Sequence, residues 1–304
     1  MTKWTANDIP SQQGRSALVT GFGGLGYEDG LALAKAGAEV IMAGRNSERG
    51  AEAVARIRRE APAANVRFEL LDLASLASVA ELGQRLRDQR AGLDILINNA
   101  AVMTPPTRQE TSDGFELQLG TNYLGHFALT AHLLPLLRQS RASRVVSLSS
   151  LAAVQGQIDF DDLNARRNYK PMTAYAQSKI ACLMFALELQ RRSEAGGWGV
   201  ESLAAHPGIS RTNLLLNAPG RSSTVGRVRS LLPFLFQPVA QGALPTLFAA
   251  TAPQAKGGVY YGPDRLGGTR GHPTEAQIPP QALDLAVARK LFDVSEDLVQ
   301  LRLG

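Results

Sequence analysis

The sequence of 304 residues contains a single cysteine, Cys182, so no disulfide can form within the chain. This scarcity favours a reducing compartment, and we expect a cytoplasmic protein. No apolar run approaches the roughly 18 to 20 residues that a membrane-spanning helix needs, and residues 1–15 are too polar to resemble a signal peptide. We therefore expect no integral membrane span. A short apolar run at residues 231–236 would suit a substrate cover or a peripheral membrane contact better.

Patterns typical of metal and nucleic-acid binding are also scarce. The four histidines lack ligand spacing, so we expect no metal site and explain His126 and His132 by packing or hydrogen bonding. The net charge of +5 comes from scattered residues, and the densest basic spots, 56–59 and 191–192, lie in helical patterns that favour a solvated face. We expect no nucleic-acid partner. The absence of a G-x-S-x-G elbow around Ser150 also argues against a hydrolase.

Short β-type runs alternate with helical segments along the chain. This alternation predicts an α/β fold with a Rossmann-type, doubly wound parallel sheet and helices on both faces. No linker or repeat divides the chain, so residues 1–304 are expected to form a single domain, while the Gly-, Pro- or Ser-rich residues 217–223 and 262–273 are predicted loops. About seven strands are predicted, at residues 16–20, 39–43, 67–71, 95–97, 144–147, 201–205 and 258–261.

A glycine-rich loop stands between the first strand and the first helix. In sheets of this kind ligands bind beyond the carboxyl ends of the strands. Glycines there let the backbone turn tightly and approach a pyrophosphate at the helix N-terminus. The loop fits the G-x-G-x-x-G pattern and predicts a dinucleotide site at Gly21, Phe22, Gly23, Gly24, Leu25 and Gly26.

The ends of the next two strands bear on the identity of the dinucleotide. After the second strand there is no acidic residue to accept hydrogen bonds from a ribose 2′-hydroxyl, and Arg45 stands there instead. Because a guanidinium can pair with a 2′-phosphate, NADP(H) is favoured over NAD(H). The third strand runs into Asp72 and Leu73, where the carboxylate would either accept from an adenine amino group or cap a helix starting near Ser75.

Small or polar residues follow the later strands as well. Asn99, Ala100 and Ala101 come after the fourth strand, where small side chains allow close backbone approach. The fifth strand ends in Ser147-Leu148-Ser149-Ser150 and the sixth in His206-Pro207-Gly208-Ile209-Ser210-Arg211-Thr212. The sequence thus gathers polar groups at one edge of the predicted sheet.

Tyr175 and Lys179 are four residues apart in a helical segment, so both side chains lie on one face. An ammonium beside a phenol favours the phenolate, which would make Tyr175 a usable general acid/base. Such a pair is also compatible with an ordinary solvated helix face. The surrounding residues therefore decide between the two interpretations.

Taken together, these residues resemble those of the short-chain dehydrogenase/reductase family. The match includes the glycine loop, Asn98-Asn99-Ala100, Asn122, Ser150, Tyr175, Lys179 and Pro207-Gly208. The 25-residue interval from Ser150 to Tyr175 and the segment Thr121-Asn122-Tyr123-Leu124-Gly125-His126-Phe127 are similar to the retinol-dehydrogenase-like branch.

The resemblance implies hydride transfer between NADP(H) and a lipophilic aldehyde, ketone or alcohol. In the family mechanism Tyr175 would transfer the proton, while Lys179 would stabilise the phenolate and bind the nicotinamide ribose. Ser150, preferred to Ser149 by the family register, would hydrogen-bond the substrate oxygen. Asn122 would hold a water that links Lys179 to solvent.

The resemblance also implies further contacts. Asn99 and Ala100 would lie near the adenosine ribose, and Thr212 near the nicotinamide amide. Pro207 and Gly208, in the motif after the sixth strand, would also bind the cofactor. Residues 213–238 would cover the substrate, with leucines and phenylalanines forming an apolar wall. Helices near residues 112–140 and 171–193 could form the homodimer face that is usual in the family.

Two positions depart from the family pattern. The glycine loop is one residue shorter than the usual Thr-Gly-x-x-x-Gly-x-Gly, and Ala101 stands where a glycine is usual. The short loop motivates an alternative function, a nucleotide-sensing or interaction protein that kept the fold and lost catalysis. The sequence alone does not name the substrate, the direction of the reaction or the oligomeric state.

Overall fold

A computed structural model describes residues 3–210 and 237–303, whose eight β-strands form one sheet. The strand order is β3-β2-β1-β4-β5-β6-β7-β8; strands β1 to β7 are parallel, and β8 is antiparallel to β7. The predicted Rossmann-type doubly wound α/β fold is confirmed. The strands are β1 (Ser16–Thr20), β2 (Glu39–Gly44), β3 (Val66–Leu70), β4 (Ile95–Asn98), β5 (Ser143–Leu148), β6 (Val200–Ala205), β7 (Tyr260–Arg265) and β8 (Arg270–Glu275).

The eighth strand lies in a segment predicted to be a loop. Residues 262–273 form most of the β7–β8 hairpin, so that prediction was wrong. Proline and glycine normally argue against a strand, but Pro273 lies in the edge strand, where a missing N–H donor is tolerated. The pairing is also irregular between Pro263 and Arg265, which accommodates the second proline.

Helices cover both faces of the sheet. One face carries α1, α2 and α6, and the other carries α3, α4, α5 and α7. A π-helical turn at Leu119–Leu124 leads directly into α4, and short 3₁₀ turns occur at Ala6–Asp8, Leu151–Gln155 and Pro280–Leu283. The α-helices are α1 (Leu25–Lys35), α2 (Ser47–Glu60), α3 (Leu76–Gln89), α4 (Gly125–Gln139), α5 (Pro171–Gly196), α6 (Val239–Thr251) and α7 (Leu285–Val299).

Each central strand contributes side chains to both faces. In β1 the side chains of Ala17 and Val19 enter the core beneath α1 and α2, whereas Leu18 between them enters the core beneath α4 and α5. All three are fully buried, as expected for a parallel strand covered on both sides. The carboxyl ends of β1 to β7 consequently meet at one edge, and the predicted site residues follow those ends.

Among the described residues, no helix is both long and apolar enough to cross a membrane. That part of the chain also holds no cluster of histidine, cysteine and carboxylate side chains suited to a metal ion. The apolar residues predicted to cover the substrate, and the predicted loop at 217–223, lie within residues 211–236, outside the described residues.

Candidate active site

Tyr175 and Lys179 lie in the first half of α5, whose N-terminal turn begins with Pro171. Both side chains are nearly inaccessible to solvent, with 5% and 4% exposure respectively. The interpretation of this pair as an ordinary solvated helix face is therefore wrong. A buried phenol and a buried ammonium on one helical turn need a structural or chemical reason.

The Lys179 ammonium has few partners for a buried charge. Nζ donates a hydrogen bond to the carbonyl oxygen of Leu148 at 2.9 Å and lies 5.9 Å from the centre of the Tyr175 ring. Among the described residues it forms no ion pair. Since an ammonium has three donors, two remain for a bound ligand.

The two neighbouring serines at the end of β5 have different roles. Ser149 is buried, and its hydroxyl donates to the carbonyl oxygen of Lys179 at 2.7 Å, which ties α5 to the strand end. The Ser150 hydroxyl is more accessible and accepts a hydrogen bond from the backbone N–H of Ala152 at 3.2 Å. Its own proton is therefore available for a substrate oxygen, which supports the choice of Ser150.

Ser150 lies close to the turn that carries Tyr175. The 3₁₀ turn after Ser150 ends at Gly156, where a Cβ would lie only 2.5 Å from the carbonyl oxygen of Ala176. Glycine is needed here because the two backbones touch. On the other side, the Tyr260 hydroxyl approaches the Ser150 carbonyl oxygen at 3.4 Å, and burial raises the pKa of Tyr260 so that it stays protonated.

Asn122 occupies the π-helical turn and connects three segments. Its side-chain amide binds both backbone groups of Val102, accepting from N–H at 2.8 Å and donating to the carbonyl at 3.0 Å. It also donates to the Ser178 hydroxyl at 3.0 Å, which in turn donates to the Tyr175 carbonyl at 2.8 Å. Single π turns within α-helices are frequent at functional sites.

The glycine loop has the backbone of a phosphate-binding loop. Gly21 and Gly24 adopt φ angles of 82° and 55°. A Cβ at Gly26 would lie 2.2 Å from the Gly21 carbonyl oxygen, so all three positions favour glycine. Gly24 is also the N-cap of α1 and supplies no side-chain cap, which leaves the first N–H groups of the helix free to bind an anion.

Phe22 explains how the shortened loop is held in place. Its ring packs over the end of β2, where a Cβ at Gly44 would lie 2.4 Å from the ring, and it contacts Phe68 edge-on with centroids 5.7 Å apart. On the other side, Asn99 donates from Nδ2 to the Thr20 carbonyl oxygen at 2.7 Å. An aromatic contact thus stabilises the shortened turn.

The side chains that follow β2 and β3 differ in their exposure and in their hydrogen bonds. Arg45 is exposed beside Asn46, which caps α2 by accepting from the N–H of Arg49 at 2.9 Å. The Asp72 carboxylate accepts from the N–H of Ala74 at 2.9 Å, and Ser75 rather than Asp72 caps α3. The Leu73 side chain packs in the core, so only its backbone remains for a ligand.

The remaining predicted contacts line the same edge. Ala100 and Ala101 follow β4, and the Ala100 N–H donates to the Thr20 hydroxyl at 3.0 Å. After β6, Gly208 adopts a φ of 61° and packs so closely on the β7–β8 turn that a Cβ would lie 2.3 Å from the Thr269 carbonyl oxygen. The Pro207 carbonyl accepts from the Ser210 hydroxyl and the Gln237 amide. Thr212 lies outside the described residues.

Several residues of this site were not identified from the sequence. Val102 and Ser178 are held by Asn122, and Leu148 offers its carbonyl to Lys179. Arg49 lines an open groove of about 650 Å³ beside the glycine loop. Of these, Ser178 carries a helical sequence signal, since it lies on α5 within one turn of Tyr175 and Lys179.

Comparisons with known proteins agree with the geometry of the candidate active site. The model of the short chain dehydrogenase family matches residues 15–219. Polyprenol dehydrogenase of Mus musculus is 43% identical over 82% of this chain and 75% of its own length. Retinol dehydrogenase 13 of Mus musculus is 41% identical over 96% of this chain and 85% of its own length.

The chain belongs to the short-chain dehydrogenase family. The similarity to retinol dehydrogenases confirms the predicted retinol-dehydrogenase-like branch. A crystal structure of an uncharacterized protein from Mycobacterium paratuberculosis covers all of both chains with 39% identity and a TM-score of 0.83. A short chain dehydrogenase from Shigella flexneri, complexed with NADP, shares the fold at a TM-score of 0.66 over 83% of this chain and 98% of its own, with 24% identity.

This short-chain dehydrogenase is an oxidoreductase, and its residues fit the dinucleotide that the family uses. The uncapped N-terminus of α1 and the glycines at 21, 24 and 26 form a cradle in which backbone N–H groups can meet a phosphate. The spare donors of Lys179 and the free proton of Ser150 lie at the same sheet edge. Together they provide a cation, a phenol and a hydroxyl for one proton transfer.

Proposed function

We propose that this short-chain dehydrogenase transfers hydride between NADP(H) and a lipophilic carbonyl or alcohol, with Tyr175 as general acid/base. The observation that carries the proposal is the buried Lys179 ammonium, which has one backbone partner, no ion pair among the described residues and Tyr175 one turn away. Burying an unpaired charge costs stability, so a function must offset the cost. A ligand hydroxyl and a phenolate would supply the missing partners.

In the reductive direction each residue has one role. The bound dinucleotide supplies the hydride to the carbonyl carbon. Ser150 donates a hydrogen bond to the carbonyl oxygen and Tyr175 gives it a proton, so that the alcohol forms. Lys179 stabilises the resulting phenolate, while Asn122 holds α5 against the loop after β4. In the oxidative direction the same proton returns to Tyr175.

Preference for NADP(H) is supported by the charges around the adenosine end of the site. Arg45 follows β2 directly, and neither Asp nor Glu stands at that strand end. Arg49 faces the groove beside Phe22 and Gly23 from the first turn of α2. A 2′-phosphate could pair with the Arg45 guanidinium after β2, where no carboxylate stands to accept from a 2′-hydroxyl.

A lipophilic substrate is supported by the relatives and by the composition of residues 213–238. Two of the relatives are named for retinol and polyprenol, which are long apolar alcohols. Residues 213–238 follow the Pro207-Gly208 motif and contain eight leucine and phenylalanine side chains, at Leu214, Leu215, Leu216, Leu231, Leu232, Phe234, Leu235 and Phe236. The single buried thiol of Cys182 supports a reducing compartment such as the cytoplasm.

Arg45→Ala tests the cofactor preference. We expect the Kd for NADPH, measured by titration calorimetry, to rise by about tenfold or more, because a charge-assisted pair with the phosphate is lost. The Kd for NADH should hardly change. Arg289→Ala, which removes an exposed arginine of α7, serves as the control. Equal binding of both dinucleotides, unaffected by Arg45→Ala, would contradict the preference.

Turnover separates the enzyme from a nucleotide-sensing protein of the same fold. Incubation with NADPH and a panel of lipophilic aldehydes and ketones should consume the dinucleotide and yield the matching alcohols. The proposal requires one alcohol for each dinucleotide oxidised. Tight binding of NADPH with no alcohol from any member of the panel would favour the sensing protein instead.

A further inference from the structure

His126 in the first turn of α4 joins the cofactor side of the site to Asn122. Its imidazole is buried, with Nε2 2.8 Å from the Thr20 hydroxyl and Nδ1 2.9 Å from the Asn122 carbonyl oxygen. Thr20 is the last residue of β1, directly before the glycine loop. One side chain thus contacts both the dinucleotide cradle and the π-helical turn.

The direction of these two hydrogen bonds follows from the available partners. A carbonyl oxygen can only accept, so Nδ1 of His126 must carry a proton and donate to Asn122. Burial lowers the pKa of His126 to about 4, despite the hydrogen bond to Asn122 and with Lys179 nearby also disfavouring the charge. The ring is therefore neutral near pH 7, and Nε2 must accept a proton from Thr20.

The contacts of Thr20 favour the same arrangement. Its hydroxyl oxygen already accepts from the backbone N–H groups of Asn99 at 2.9 Å and Ala100 at 3.0 Å. The one hydroxyl proton can go to His126 at 2.8 Å or to the more distant Ile97 carbonyl at 3.3 Å. The shorter contact and the free lone pair of Nε2 both favour His126.

The chain of contacts continues from Asn122 to the catalytic helix. The Asn122 carbonyl accepts a second hydrogen bond, from the Cys182 thiol at 3.2 Å, and the Asn122 side chain binds Ser178. Cys182 and Ser178 flank Lys179 on α5. Each group in the path from Thr20 to α5 is therefore held by a directed hydrogen bond.

We infer that His126 is a positioning residue which, as the neutral tautomer with its proton on Nδ1, couples the glycine loop and the loop after β4 to Asn122 and the Tyr175–Lys179 turn. The two ring nitrogens have separate roles, since Nε2 holds the cofactor side and Nδ1 holds the catalytic side. The inference goes beyond the hydride transfer proposed above, and only its kinetic test depends on that function.

Two amide substitutions separate the two nitrogens. The amide of His126→Asn reaches the position of Nδ1 and can still donate to the Asn122 carbonyl, whereas Thr20 loses its acceptor. The amide of His126→Gln reaches the position of Nε2 and can still bind Thr20, whereas the Asn122 carbonyl loses a donor. His132→Gln, on the same helix but partly exposed and outside the network, is the matched control.

Each substitution should mainly change one of two measured quantities, the affinity for NADPH or the turnover of decanal. We expect His126→Gln to lower kcat about tenfold with a smaller change in the Kd for NADPH, and His126→Asn to raise that Kd about tenfold with a smaller change in kcat. His132→Gln should leave both values unchanged. Equal losses in both parameters that follow the loss in Tm, or no change in either variant, would overturn the inference.

Nitrogen-15 NMR of the histidine side chains tests the same inference without turnover. The wild-type protein at pH 7 should show two imidazoles with the proton on Nδ1, that of His126 and that of His272, whose Nδ1 lies 3.0 Å from the Trp4 carbonyl oxygen. His126→Gln should remove the His126 signal and leave the other. The His126 signal must also persist at about pH 5.5, where an exposed histidine is largely protonated. If decanal is not reduced, the proposed function fails for that substrate while the tautomer stands. A proton on Nε2, or on both nitrogens, would overturn the tautomer itself.

Discussion

Lys179 differs from the other lysines of the chain in being buried without a carboxylate among the described residues. Its neighbour on the strand side is a carbonyl oxygen, which compensates only part of the cost of removing an ammonium from water. The Lys179 ammonium is therefore held ready for a ligand. The four-residue spacing of Tyr175 and Lys179 would also fit a solvated helix face. The burial of the ammonium distinguishes the two interpretations.

Two glycines of the cradle, Gly26 and Gly23, differ in whether the structure has room for a side chain at their position. A Cβ at Gly26 would meet the Gly21 carbonyl oxygen at 2.2 Å, so Gly26→Ala must shift the backbone. At Gly23 no atom of the described residues lies within 4 Å of a Cβ, and φ is not positive. A methyl group at Gly23 would instead occupy the space in which we propose that a pyrophosphate binds.

Gly23→Ala should leave Tm within about 2 °C of the wild type and raise the Kd for NADPH, whereas Gly26→Ala should lower Tm and weaken binding together. Thermal unfolding and titration calorimetry measure the two effects. Unchanged NADPH binding in a stable Gly23→Ala protein would show that the dinucleotide does not lie against this loop.

At the scale of single residues, local spacing predicted more than long-range contacts did. The pair Tyr175 and Lys179 could be predicted because one helical turn brings them together. His126 was assigned only to packing or hydrogen bonding, since its partner Thr20 is 106 residues away and comes close only through the sheet. The contact of Phe22 with Phe68 likewise depends on the pairing of β2 with β3, which the spacing of the two residues does not show.

The C-terminal helix α7 packs on the outer face of α4 and α5. Phe292 lies 4.9 Å from Phe127 and 6.0 Å from Phe185, measured between ring centroids, and the Tyr123 hydroxyl bonds Ser295 at 2.7 Å. At the margin, Arg192 covers the Phe292 ring and pairs with Asp293. The helices for which the sequence suggested a homodimer contact are covered here by the same chain.

This arrangement predicts that α7 takes the place of a subunit contact. Light scattering of the wild-type protein should give the monomer mass of 32.5 kDa. Phe292→Ala should lower the free energy of unfolding by about 3–5 kcal/mol, because it opens a cavity against the Phe127 and Phe185 rings. A dimer in solution, or a Phe292→Ala protein as stable as the wild type, would contradict this role for α7.

At the scale of elements, strand–helix alternation predicted the sheet and its direction. Each of the seven predicted strands overlaps an observed one, because fully buried parallel strands are nearly continuous apolar runs. Residues 262–273 were not predicted as strands, because glycine and proline break strands in most settings and are tolerated here at the edge of the sheet. The position of α7 could not be predicted from the sequence either, because the face that it covers is formed by α4 and α5, which are distant from it along the chain.

Across the whole molecule, one sheet edge collects the residues of the proposed hydride-transfer site. The glycine loop and Arg45 lie after β1 and β2, and Ser150 and Gly208 after β5 and β6. Helix α5 places Tyr175 and Lys179 against the end of β5 through two hydrogen bonds. The fold could be predicted in outline, and so could the gathering of these residues at one edge, because parallel strands send their carboxyl ends to the same place.

The central claim is that hydride passes from the dinucleotide to a carbonyl carbon while Tyr175 supplies the proton. Reduction of a lipophilic aldehyde with NADPH that carries deuterium on the transferred position of C4 tests it directly by mass spectrometry of the product. The wild type should give an alcohol with one deuterium on the former carbonyl carbon. Tyr175→Phe should still bind NADPH but lose at least about 99% of this product, since a positioned acid contributes roughly 10² to 10⁴ in rate. An alcohol without deuterium, or a Tyr175→Phe rate near that of the wild type, would contradict the account.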